Sequence, residues 1–172
     1  MKILLVLLLL PFNLEAKVIS SGQNGFHIQI ERTVKASQKV AYQQFLKIAE
    51  WWDADHTYFG KASNLSLQTR AGGCFCEING DNQVLHMLVT YVEPNREVRM
   101  VGGLGPLQMM GIHGGMSWKF EAIDNNQTKI IHSYQVTGYS KDGLDKLAAI
   151  VDQVQQVQVD SLISKFSVTN DL

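Results

Sequence analysis

The sequence predicts an α+β chain in which a curved antiparallel sheet of about seven strands wraps on one long C-terminal helix. Two observations carry this. Between Phe26 and Tyr139, short runs alternate apolar and polar residues with a period of two, and turn-rich clusters separate them. From Leu144 the period becomes helical, with Leu144, Leu147, Val151, Val154 and Leu162 forming an apolar stripe. A sheet with one apolar face needs a cover, and a long amphipathic helix supplies one.

The elements follow in order. Met1–Ala16 resembles a secretory signal, expected to be cut near Ala16. Lys2 is a one-charge start, Ile3 to Leu10 is an unbroken apolar run, Pro11 ends it, and Leu14-Glu15-Ala16 offers a small residue at the cut. The run is too short to span a bilayer, no cysteine lies near the cut, and no later stretch is apolar enough to cross a membrane. The rest, 17–172, reads as one domain with a periplasmic or secreted location. Residues 17–25 form a polar lead-in. Phe26, Ile28 and Ile30 alternate with His27, Gln29 and Glu31 as a half-buried strand. Ser37 is placed to cap a helix from about Gln38 to Trp52, whose Ala41, Phe45, Ile48 and Trp52 share a face.

Strands are expected over 64–70, 74–78, 84–92, 97–101, 116–122 and 129–139. Asn79-Gly80-Asp81-Asn82 and Asp124-Asn125-Asn126-Gln127 have the composition of hairpin turns. The final helix is expected over about 143–166, with Gln153, Gln155 and Gln156 facing away from its stripe. The net charge is −1, and loss of Lys2 with Glu15 leaves it unchanged. That balance argues against nucleic acid or anionic surfaces as partners. Charged residues make up only 18% of the chain against 45% hydrophobic, which fits much buried apolar surface.

Read in this order, the chain resembles the START-like SRPBCC superfamily, which includes birch-pollen-allergen proteins, polyketide cyclases and lipid-transfer domains. Three segments carry the resemblance: Val34 to Trp52, which closes on tryptophans; Gly72-Gly73-Cys74-Phe75-Cys76-Glu77, similar to a "GG-x-[FW]-x-E" strand start; and the Leu104-Gly105-Pro106-Leu107-Gln108 loop with Ala148 to Gln155, similar to a secreted bacterial branch. The resemblance implies the helix-grip fold and a hydrophobic, lipid-like or aromatic small molecule held in an internal cavity. A minority of that superfamily catalyses reactions, so fold alone does not fix function.

Candidate residues follow. Cys74 and Cys76, at i and i+2 of one strand, share a face. Their Cα atoms would stand roughly 6.6 Å apart in a regular strand, near the limit for a disulfide. A buried reduced pair, a disulfide and metal ligation all remain open. The cysteines are expected to face the core with Ile78, because the opposite parity would bury Glu77 together with Phe75.

Acid–base chemistry, if present, would draw on Glu77, His86, His132 and Tyr134. The bland reading of each is a hydrogen-bonded structural residue. Ligand contacts are expected from Trp52, Phe59, Leu104, Leu107, Met109, Met110, His113, Trp118 and Val151. His113 and the methionines lie in 102–115, a segment with six glycines that is either a gate over the cavity or a bulged strand extension. The five histidines show no metal-ligand spacing, and neither a metal nor a cofactor is expected. A monomer or weak dimer is expected. A cyclase or dehydratase activity and a role as an interaction module are the alternatives to ligand binding.

Overall fold

The computed structural model describes residues 17–166. The expected signal over 1–16 lies outside the described residues. Eight strands form one antiparallel sheet: β1 (Lys17–Gly22), β2 (Gly25–Val34), β3 (Leu65–Leu67), β4 (Cys74–Asn79), β5 (Asn82–Glu93), β6 (Glu97–Gly102), β7 (His113–Ala122) and β8 (Thr128–Thr137). Their spatial order is β1-β2-β8-β7-β6-β5-β4-β3. The eighth strand is β1, which the sequence reads as a polar lead-in; it forms one edge of the sheet, opposite β3, and pairs with β2.

Two short helices, α1 (Gln38–Leu46) and α2 (Ile48–Trp51), replace the single helix expected over 38–52. The long helix α4 spans Asp145–Ser164. Between β6 and β7 a four-residue helix, α3 (Pro106–Met109), interrupts the glycine-rich segment, which is therefore not a simple strand extension. A long helix gripped by a curved antiparallel sheet is the helix-grip fold.

Local chemistry accounts for the elements. Ser37 accepts the Val40 N–H at the start of α1. The β4–β5 hairpin turns on Gly80 at φ 62, a conformation that glycine adopts without steric cost. Strands β2, β8 and β7 pair without interruption, and every second residue points inward. Phe26, Ile28 and Ile30 face the core with Met116, Trp118, Phe120, Ile130, Tyr134 and Val136. The helices after β2 complete this core with aromatic rings. Phe45 lies 5.1 Å from Trp118 and 5.4 Å from Phe120, and Trp51 lies 5.7 Å from Trp118. The Trp51 indole N–H donates to the Phe45 carbonyl at 2.9 Å, so the polar end of this buried ring is satisfied.

The structure corrects two expectations about facing. In β4 it is Phe75 and Glu77 that are buried, while Cys74 and Cys76 lie partly exposed on the outer face with Ile78, which is half exposed. The cysteines form a disulfide with a Cα–Cα distance of 5.4 Å, shorter than a regular strand gives. In α4 the buried stripe is Ala148, Asp152, Gln155, Val159 and Leu162, joined by Gln158. Gln155 thus faces in rather than out, and Val151 and Val154 are only half-buried. The polar members are tolerated because they hydrogen-bond. Gln158 accepts the Asp53 N–H at 2.9 Å and meets His56 Nδ1 at 3.1 Å, tying α4 to the turn after α2.

This facing predicts an asymmetry between two valines. Val159→Asp should destabilise by about 3–5 kcal/mol, as an unpaired charge in the core does, whereas Val154→Asp should cost about 1 kcal/mol. Urea unfolding of the two variants checks it, and equal losses would place both valines at equal depth.

Candidate functional site

Two clusters of polar side chains face the inside of the sheet. The first is built on Glu77. Strand pairing leaves His86 as an extra residue in β5, because Phe75 stands opposite Met87 while Cys76 stands opposite Leu85. This bulge turns both His86 and Met87 inward. His86 Nε2 then lies 3.2 Å from Glu77 Oε2. The same oxygen accepts the Tyr58 N–H at 2.9 Å, and Oε1 accepts the Phe59 N–H at 2.8 Å. With its proton on Nε2, His86 is the third donor to a carboxylate that is fully buried. Burial lowers the His86 pKa, and the bond to Glu77 opposes the drop. The His86 ring stacks 4.7 Å from Phe75 and 5.7 Å from Tyr58.

The second cluster joins β8 to α4. His132 is wholly buried, 4.2 Å from the Trp118 ring, with Nε2 3.0 Å from Gln155 Oε1. Desolvation pulls its pKa down to about 4, against weaker opposing effects of the Gln155 bond and the Ser117 backbone. Its Nδ1 has no hydrogen-bond partner. One turn earlier on the same stripe of α4 sits Asp152. Its Oδ2 accepts from Gln156 at 2.7 Å, while its buried Oδ1 meets no donor. Tyr134, two residues beyond His132, donates to the Gly102 carbonyl at 3.1 Å and accepts the Leu104 N–H at 3.2 Å. Gly114 makes room for that ring, since a Cβ there would come within 2.5 Å of Tyr134 Cε2. Burial raises the Tyr134 pKa to about 12.

The expected site residues are therefore distributed as follows. Glu77 and His86 converge on one another; His132 and Tyr134 make separate contacts. Trp52, Leu107 and Trp118 are buried in the core, and Leu104 and Val151 pack against it half-buried. Phe59 is half-buried and carries the N–H held by Glu77. Met109 and Met110 are exposed on the outside of α3. His113 is not at a cavity mouth: it opens β7 on the outer face of the sheet. There it lines a groove of about 520 Å³ with Arg99, Ser117, Ser133, Gln135 and Thr137. The guanidinium in that groove is already paired with Glu97 through two bonds of 2.8 Å and stacks 4.4 Å from the Tyr91 ring.

The segment from Gly102 to Gly115 is tied down at several points. Leu107 and Ile112 are buried, Gln108 donates to the Leu85 carbonyl at 2.7 Å, and the Tyr58 hydroxyl donates to the Gly105 carbonyl at 2.9 Å.

The sequence reading did not single out Asp152 or Gln158. Both follow the i, i+3, i+4 spacing of the buried stripe, but their polar side chains disguise it. Among the described residues, no group of three His, Cys, Asp or Glu could hold a metal ion, and no helix is long and apolar enough to cross a membrane.

The sequence matches no family model and no curated protein. Solved structures do match. A conserved protein of unknown function from Enterococcus faecalis superposes with a TM-score of 0.63 at 11% identity, over 92% of this chain and 80% of that one. The Aha1 dimer from Colwellia psychrerythraea gives 0.58 at 18%, over 84% and 98%. DynU16, a protein in the dynemicin biosynthetic locus, gives 0.57 at 12%, over 83% of this chain and 47% of that one. At these identities the likeness shows the fold alone.

Two predictions arise here. Glu77→Ala removes the acceptor of three donors, so stability should fall by about 3 kcal/mol and the amides of Tyr58 and Phe59 should lose hydrogen-exchange protection. Retained protection at both amides would mean that Glu77 does not hold the turn. His132 has a folded pKa of about 4 against about 6.5 unfolded. The unfolded chain therefore binds more protons between these values. The stability this contributes is complete above pH 6.5 and is lost as pH falls towards 4, about 3 kcal/mol in all. His86, also lowered, acts in the same direction. His132→Gln should flatten the pH dependence of urea unfolding across this window, and an unchanged slope would assign it to other groups.

Proposed function

We propose that the chain is a START-like SRPBCC protein that holds an apolar small molecule between α4 and the sheet, with a hydrogen-bond donor of that molecule anchored on Asp152. The observation that carries this reading is the Asp152 carboxylate oxygen, buried without a donor on the stripe of α4 that faces the sheet. Buried acceptors are rarely left unpaired. A ligand site with apolar walls and a few placed polar groups is the usual design of a small-molecule pocket. Trp118 and Met116, buried in the core, and Leu104 and Val151, half-buried against it, would supply such walls.

Leu107 is buried and Leu104 half-buried against the core, so entry in this reading requires both to swing out with α3. The Tyr134, Tyr58 and Gln108 contacts of that segment must then open. The carboxylate selects the ligand's polar end. It favours a hydroxyl or ammonium and disfavours a fatty carboxylate, which would set like charges together. Export after loss of 1–16 is part of the same proposal. The convergence of Glu77 and His86 does not favour an enzyme, because both carboxylate oxygens already hold turn and ring donors.

The test is native mass spectrometry with lipid extraction of the purified chain, followed by titration with a fluorescent long-chain alcohol, its methyl ether and the matching acid. The alcohol should bind about tenfold more tightly than the ether, the equivalent of one hydrogen bond. That preference should vanish in Asp152→Ala. Hydrogen exchange over 104–112 should change when the alcohol is added. No co-purified molecule together with no binding of any probe would overturn the proposal.

A further inference from the structure

The Cys74–Cys76 disulfide lies on the opposite side of β4 from the proposed ligand site and stands independently of it. Its ring encloses one residue, Phe75. The constraint a disulfide places on the unfolded chain grows with the length of the loop it closes, and this loop is close to the shortest possible. The bond therefore adds little to holding the fold. The strand has other restraints: Phe75 packs 5.0 Å from Trp52, Glu77 holds the turn at Tyr58 and Phe59, and β4 pairs with both β3 and β5. Opening the disulfide would leave all of these in place, so both redox states suit the same fold.

The surroundings indicate what could reach it. Both cysteines are partly exposed. Their cross-strand partners are Leu88 for Cys74 and Leu85 for Cys76, and Val101 is the partner of Leu88 on β6. Leu85, Leu88, Val101 and Ile78 are between 40% and 50% exposed, an unusual density of large apolar side chains on a solvent-facing sheet. A disulfide is attacked by a thiolate, and exposed disulfides are the labile or catalytic ones. An apolar collar around a reachable disulfide fits a cysteine carried on an apolar polypeptide segment.

We propose that Cys74–Cys76 is a thiol–disulfide exchange site that passes its disulfide to cysteine pairs of polypeptides with apolar flanks. A substrate thiolate attacks one of the two sulfurs, forming a mixed disulfide and releasing the other cysteine as thiolate. The second substrate thiolate then attacks the substrate sulfur of that bond. The substrate leaves as a disulfide, two electrons pass to the protein, and the two cysteines take up the two protons the substrate thiols gave up. Return to the disulfide state needs a small-molecule disulfide such as oxidised glutathione, which is itself reduced to two thiols.

The experiment incubates the oxidised full chain with a reduced peptide carrying two cysteines between leucines, and with a control peptide that has serines in place of the leucines. Alkylation and mass spectrometry count the thiols on both partners. The expected result is one peptide disulfide formed per protein disulfide lost, about tenfold faster for the leucine peptide, with repeated turnover once oxidised glutathione is added. Cys74→Ser, first loaded with glutathione as a mixed disulfide at Cys76, should exchange with one equivalent of a single-cysteine version of the leucine peptide to give a stable peptide–Cys76 mixed disulfide, glutathione leaving as the thiol. Leu88→Ser should lower the preference for the leucine peptide while the melting temperature stays near that of the parent. A bond that resists both peptides until urea unfolds the chain would overturn the proposal. So would equal rates for the two peptides, or cysteines that stay reduced at every glutathione ratio.

Discussion

The architecture around the candidate site depends on one buried carboxylate. A charged group inside a protein is costly unless it is fully hydrogen-bonded, and Glu77 meets that requirement with the Tyr58 and Phe59 N–H groups and the His86 ring. Fixing Glu77 inward fixes the parity of β4, so Phe75 also enters the core and Cys74 and Cys76 are turned out. The turn after α2 is held at its amides, which keeps Trp52 against Phe75. The Tyr58 hydroxyl in turn reaches Gly105 at the start of α3. The chain of contacts thus runs from one strand residue to the segment that covers the interior.

Helix α4 solves a different problem. A wholly apolar stripe would seal it to the sheet, yet Asp152, Gln155 and Gln158 lie in that stripe. Gln158 and Gln155 each answer a specific group, at Asp53 with His56 and at His132. Polar contacts in a low-dielectric interior fix position as well as contributing energy. They set the rotation of α4 about its axis and therefore the direction of Asp152.

The sequence made the succession of elements and the central strands legible because these rest on period-two alternation, while the helix-grip class was implied by the resemblance. Met116, Trp118 and Phe120 alternate and are buried as expected. It failed where a contact outweighed the pattern. Hydrophobicity alone sends Ile78 inward with the cysteines. The structure inverts this because the partners of Glu77 are backbone N–H groups 18 and 19 residues away, which no side-chain pattern encodes. His86 faces inward through a bulge, and a bulge shifts the alternation by one without a mark of its own. Polarity sends Gln155 to the outside, although its spacing from Ala148, Val159 and Leu162 places it on the inner stripe. His113 lies in the six-glycine segment 102–115, whose composition leaves a gate and a bulged strand extension both open, and the ladder with β8 makes it a strand residue.

Spacing is the more reliable guide to facing in such positions than side-chain type. A polar residue in register with buried neighbours must either find a partner or remain available for one. Gln155, Gln158, Glu77 and Tyr134 have found theirs within the chain. The Asp152 carboxylate has done so with one oxygen only. The interior is thus polar mainly where the fold itself needs holding, with Asp152 Oδ1 on α4 and His132 Nδ1 on β8 left without partners. The outer face of β4 shows the opposite imbalance, with apolar side chains left in water around a bond that closes almost no loop. Each imbalance costs free energy in the isolated chain, and each would be relieved by a partner of matching chemistry: a donor on an apolar body inside, and an apolar thiol outside.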